Sequence, residues 1–119
     1  MSPGFRAFVL EQLGRAVPQL RSRSMFGGVG LYSGARFFAL IDNDTLFFKV
    51  DDVTRGDFER RGMEPFRPGG ADGETMGYYE LPADVLEDPD ALRQWADQAV
   101  AVAARRKRGR PRRTRRDPD

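Results

Sequence analysis

Three short runs rich in aromatic and branched residues constrain this chain most: Met25–Ser33 (MFGGVGLYS), Arg36–Asp42 (RFFALID) and Thr45–Asp51 (TLFFKVD). Ser33-Gly34 and Asp42-Asn43-Asp44 separate them, and both are ordinary turn chemistry. Parallel neighbours need a crossover of about a dozen residues or more, so gaps this short permit only an antiparallel meander. Phe37-Phe38 and Phe47-Phe48 are adjacent on their strands and therefore point to opposite faces. Both faces carry apolar surface. One is expected to lie under helices and the other to meet a partner.

The flanking segments read as helices. Phe5, Phe8, Val9, Leu13, Ala16 and Val17 recur at helical spacing, with Ser2 as a cap, Pro3 in the first turn and Pro18 ending the helix near Val17. Thr54 and Asp57 resemble a capping box for a helix over 54–61, with Gly62 as its stop. Residues 63–67 and Thr75–Leu81 are expected to form a second hairpin around the loop RPGGADGE. After a turn at Pro82–Leu86, Asp88 caps a helix with Pro89 at its first position. Leu92, Trp95, Ala96, Ala99, Val100 and Ala103 form its apolar stripe, and it continues to about Lys107. The 119 residues suffice for one domain, since domains usually run to roughly 100–200 residues. The expected fold is a two-layer α+β domain, an antiparallel sheet with helices in the order α-β3-α-β2-α.

Missing residue types exclude several chemistries. The chain has no Cys and no His, hence no disulfide, no thiolate ligand or nucleophile, and none of the commonest general base. A metal site would need oxygen ligands alone. No catalytic residue, metal or cofactor is assigned, and the chain is expected not to be an enzyme. The longest apolar run, Ala99–Ala104, has six residues, against about 20 for a membrane-spanning helix. The N-terminus MSPGFRAFVLEQLG lacks the pattern of a secretory signal. A cytoplasmic or nucleoid-associated protein with no membrane partner is the expectation.

The run Arg23-Ser24-Met25-Phe26-Gly27-Gly28-Val29-Gly30-Leu31-Tyr32 resembles the signature of the TfoX/Sxy N-terminal domain family. Gly34, Phe38-Ala39-Leu40-Ile41-Asp42 and Leu46-Phe47-Phe48-Lys49-Val50-Asp51 continue the resemblance. Pro65-Phe66, Tyr78-Tyr79-Glu80-Leu81-Pro82 and Leu92–Trp95-Ala96 carry it on, over about residues 5–104 in all. The resemblance implies an α-β3-α-β2-α fold and a role like that of bacterial competence regulators. Those are thought to act on transcription alongside a cyclic-AMP receptor protein, so a transcription-regulator partner is implied. The family supplies no accepted catalytic residues.

The net charge of +2 conceals a division. Residues 1–104 hold 11 basic and 16 acidic side chains, a net −5, and residues 105–119 hold nine and two, a net +7. The last segment, 109–119, has no apolar residue to bury beyond its prolines and is expected to be disordered in isolation. Arg106, Lys107, Arg108, Gly109, Arg110, Pro111, Arg112 and Arg113 are the candidate DNA-binding residues. Arg-Gly-Arg-Pro at their centre resembles an AT-hook. Glycine lets the backbone lie deep in a narrow minor groove, proline holds an extended turn, and the flanking arginines reach along the groove floor. The alternative is a basic tail that attracts any polyanion. Elsewhere, Gly27-Gly28-Val29-Gly30 reads as close backbone packing, because a strand follows rather than the helix a nucleotide loop requires. Asp42-Asn43-Asp44 reads as a turn. Trp95, Phe5, Phe8, Phe38 and Phe48 read as core rather than as a ligand pocket. One of Tyr78 and Tyr79 is expected to face solvent, where with the outer phenylalanines it would suit a homodimer interface.

Overall fold

The structure, a computed structural model, describes residues 3–25, 27–67 and 77–108, and for Pro3 and residues 106–108 only the backbone. Its elements are α1 (Pro3–Ala16), β1 (Leu20–Met25), β2 (Gly28–Ser33), β3 (Arg36–Asp42), β4 (Thr45–Lys49), α2 (Arg55–Arg60), β5 (Tyr78–Glu80), α3 (Ala83–Leu86) and α4 (Pro89–Arg108). The strands form one antiparallel sheet in the order β1-β2-β3-β4-β5. Helices α1 and α4 pack together, and α4 covers β3 and β4, which gives two layers.

The tight turns explain the meander. Asn43 and Asp44 both have positive φ, 52° and 57°, as a two-residue type I′ turn requires. Gly34, φ 60°, opens the other loop and is followed by Ala35. The sheet is not regular throughout. Leu31 pairs with Ala39 but Tyr32 pairs with Phe37, so Phe38 is an extra residue in β3. This bulge lets Phe38 and Ala39 both face the helices, and both are fully buried. Phe38 then meets Phe48 edge-on, with ring centroids 5.8 Å apart. Val9 and Leu13 of α1, Val29, Leu31, Ile41 and Leu46 of the sheet, and Leu92, Ala96 and Ala99 of α4 complete this core. Each large apolar side chain buried there contributes about 1.5–3 kcal/mol.

Four strands precede α2 and one follows it, in place of the expected three and two. The additional strand is β1, LRSRSM, an exposed edge strand with one apolar residue at each end. Among the described residues the expected second hairpin shows β5 with one bridge, Pro65 to Tyr79, and Glu80 N–H donating to Glu64 O at 3.0 Å; residues 68–76 lie outside them. Proline has no N–H to extend that ladder, although Phe66 N–H still donates to Tyr78 O at 2.8 Å. The turn at Pro82–Leu86 is the single helical turn α3. The Thr54–Asp57 capping box is absent. Thr54 makes no side-chain bond to the helix N–H groups, and its Oγ1 accepts instead from Asp51 N–H at 3.1 Å. Gly62, φ 75°, does follow α2. Asp88 caps α4 as read, its Oδ1 accepting from the N–H groups of Asp90 and Ala91 at 3.1 and 3.3 Å.

Candidate binding surfaces

The sheet face away from the helices carries a row of rings. Tyr32 stacks on Phe37 (5.0 Å, 24°), and Phe37 meets Tyr78 at 5.6 Å. A cation closes each end. The Arg21 guanidinium lies 6.0 Å from the Tyr32 ring, and Lys49 Nζ lies 4.6 Å from the Tyr78 ring while donating to its hydroxyl at 3.1 Å. The rings use their faces on one another, so the row is a second small apolar cluster. Tyr78, only 3% exposed, is not the solvent-facing tyrosine. Tyr79 turns to the opposite face, half-buried, and donates to Glu59 Oε2 at 3.0 Å. Burial first, and the Glu59 carboxylate second, raise the Tyr79 pKa. The large exposed apolar side chains among the described residues are Phe8 and Val53.

The glycines near β2 serve packing. A Cβ on Gly28 would stand 2.4 Å from the backbone oxygen of Ile41, and one on Gly30 would stand 2.6 Å from Met25 Cε. Both glycines lie within β2, and the backbone contact accounts for glycine at position 28.

The basic run begins on ordered helix. Arg105 Nη2 lies 2.7 Å from Asp51 Oδ2, tying the end of α4 to the loop after β4. The α4 backbone continues through Arg106, Lys107 and Arg108. Gly109, Arg110, Pro111, Arg112 and Arg113 lie outside the described residues.

A cleft of about 320 Å³ opens between α2 and α4, lined by Asp57, Arg60, Arg61, Gln94, Trp95 and Gln98. Trp95 was expected in the core and is only half-buried there. It meets Phe58 edge-on at 4.8 Å and 82°. Arg60 pairs with Asp57, and Arg61 donates to Asp84 Oδ1 at 2.6 Å. The Arg61 hydrogen bond holds the Asp84 carboxyl below its usual pKa. Sequence reading did not single out Arg60, Arg61, Gln94 or Gln98. The available signal was two amides and a tryptophan at i, i+4 and i+1 of one helix, which share a surface only once α2 lies beside α4. Phe38 and Phe48 are core as read, whereas Phe8 is exposed.

Among the described residues no three His, Cys, Asp or Glu side chains gather to hold a metal ion, and no helix is long and apolar enough to cross a membrane. The described residues form a two-layer α+β domain with an aromatic row on one sheet face and a cleft between α2 and α4. The TfoX N-terminal domain model matches residues 11–103, and the chain belongs to that family. Membership points to a regulatory, protein-interaction module, and the family is not a known enzyme family. No curated protein matches the chain.

Proposed function

We propose that this chain is a small regulatory protein of the competence-regulator type, whose folded body meets a protein partner while its basic C-terminal segment anchors it to A/T-rich DNA. The charge division carries this reading: −5 over residues 1–104 and +7 over 105–119. An acidic body repels a polyanion, so attraction must come through the terminal segment. The Arg108-Gly109-Arg110-Pro111 core supplies minor-groove chemistry, and α4 delivers the run at its C-terminal end, where cations suit the helix dipole.

The test titrates A/T-rich and G/C-rich duplexes into the full chain, a chain ending at Arg108, and the double variant Gly109→Ala/Pro111→Ala. The shortened chain keeps every core residue, since the core ends at Ala103. The double variant keeps the full charge and alters only the hook. We expect an A/T preference in the parent, its loss in the double variant, and weak binding by the shortened chain. With about six phosphate contacts, affinity falls about 10³-fold between 50 and 200 mM salt. Equal affinity for both duplexes reduces the segment to nonspecific attraction. Undiminished binding by the shortened chain removes the segment's role and leaves a protein-interaction or dimerisation module.

A further inference from the structure

We propose that the cleft between α2 and α4 binds a small planar organic anion, its ring against the Trp95 indole and its carboxylate or phosphate met by Arg60 and Arg61.

The donor inventory comes first. Each guanidinium carries five N–H donors. Arg60 directs some to Asp57 and Arg61 some to Asp84, which orients both groups and leaves donors over. The amides of Gln94 and Gln98 and the Trp95 indole N–H make no hydrogen bond among the described residues. The one carboxylate lining the cleft is Asp57, and Arg60 already engages it. Two guanidinium groups against one lining carboxylate leave the cleft with solvated cationic donors to spare, so an anionic occupant is favoured, its oxygens replacing water on Arg60 and Arg61. Both arginines pair at the surface, where solvent-exposed ion pairs add little to stability, so the fold does not depend on them.

The aromatic wall comes second. Trp95 is held by its edge contact with the buried Phe58, while its helix neighbours Leu92, Ala96 and Ala99 are fully in the core. A large flat side chain fixed at the boundary offers stacking area with little rotamer freedom left to lose. Size comes third. About 320 Å³ lies at the small end of ligand sites, which run from roughly 300 to 1,000 Å³. It suits one ring system with an anionic substituent.

Trp95 is the single tryptophan of the chain, so the ¹⁵N-labelled full-length protein gives one indole N–H signal, located in the cleft. The probes are benzoate, 5′-AMP, adenosine and inorganic phosphate. We expect benzoate or 5′-AMP to shift that signal saturably, with adenosine and phosphate at least about tenfold weaker than the ring-bearing anion. Whichever of the two binds more tightly distinguishes a carboxylate ligand from a nucleotide. Arg61→Gln should weaken binding about tenfold. Gln98→Glu, at an exposed helix position, should do the same by bringing a second carboxylate into the cleft without touching the core. No saturable shift with either ring-bearing anion overturns the proposal, as does phosphate alone matching them, or unchanged affinity in Gln98→Glu. Anions held by the basic C-terminal run do not report at Trp95, so this outcome is independent of duplex binding.

Discussion

Arg105, near the end of α4, and Asp51, in the loop after β4, form an ion pair of 2.7 Å across 54 residues of sequence. The other carboxylate oxygen of Asp51 accepts from the N–H groups of Val53 and Thr54 at 3.0 and 2.9 Å. The Thr54 N–H most of all, then Arg105, hold the Asp51 pKa at about 2, against an ordinary 3.8. A carboxyl depressed on folding adds stability that is fully present above its unfolded pKa and is lost as pH falls through its folded one. The window is thus from about pH 4 down to about 2. Asp51→Asn keeps an acceptor for the backbone but loses the charge. After allowance for the solvent around Arg105, it should cost about 1 kcal/mol at pH 7. Urea denaturation of parent and variant across the acid range should show the gap closing by about pH 2. A gap that persists there would assign the effect to packing instead.

Gly28 and Gly14 should respond to alanine in opposite directions. At Gly28 the new Cβ would stand 2.4 Å from the Ile41 backbone oxygen, so β2 or β3 must shift. The expected loss is about 2 kcal/mol. At Gly14, inside α1, no atom lies within 4 Å of the new Cβ. Alanine there should add about 0.5–1 kcal/mol through the better helix former. Equilibrium urea unfolding of the two variants decides the matter, and a neutral Gly28→Ala would mean that the strand pair yields at no cost.

The meander, α1 and α4 were legible because their signals are local. The two-residue turn at Asn43-Asp44, the Asp88–Pro89 cap and the stripe from Leu92 to Ala103 each declare themselves within a few residues. β1 was not legible. Its exposed positions Arg21, Ser22, Arg23 and Ser24 follow no apolar alternation, because an edge strand gets its pairing from β2 rather than from burial. Thr54 and Asp57 have capping-box spacing, yet Asp51 competes for the Thr54 hydroxyl, and spacing alone cannot reveal that competitor. The bulge that turns Phe38 inward beside Ala39 depends on register between two strands. The cleft is tertiary altogether, since Arg60 and Trp95 are far apart in sequence.

That bulge yields a contrast between two phenylalanines. Phe38 is fully buried against Phe48, whereas Phe8 is 38% exposed on α1. Phe38→Ala should cost about 3–5 kcal/mol, the transfer term plus the cavity left in a close-packed core. Phe8→Ala should change stability by less than about 1 kcal/mol. Thermal unfolding of both variants tests the assignment, and similar losses would contradict the inward turn of Phe38.

Arg23 lies on β1, the edge strand of the sheet among the described residues. β1 pairs with β2 on one side, and its four central residues are exposed. An exposed edge presents unpaired backbone groups to any second strand, and charged side chains discourage such pairing. By register Arg21 and Arg23 oppose Tyr32 and Gly30 and so share one face. Antiparallel pairing of two copies along β1 in a face-matched register would set arginine against arginine, which is unfavourable. Arg21 is already engaged, donating to Gly34 O at 3.1 Å, so Arg23 is the better probe. Arg23→Val substitutes a strand-favouring residue, and the stability of the monomer should stay within about 0.5 kcal/mol of the parent. Self-association should rise, read as concentration-dependent light scattering at low salt. Scattering unchanged from the parent would show that something other than the Arg23 charge protects this edge.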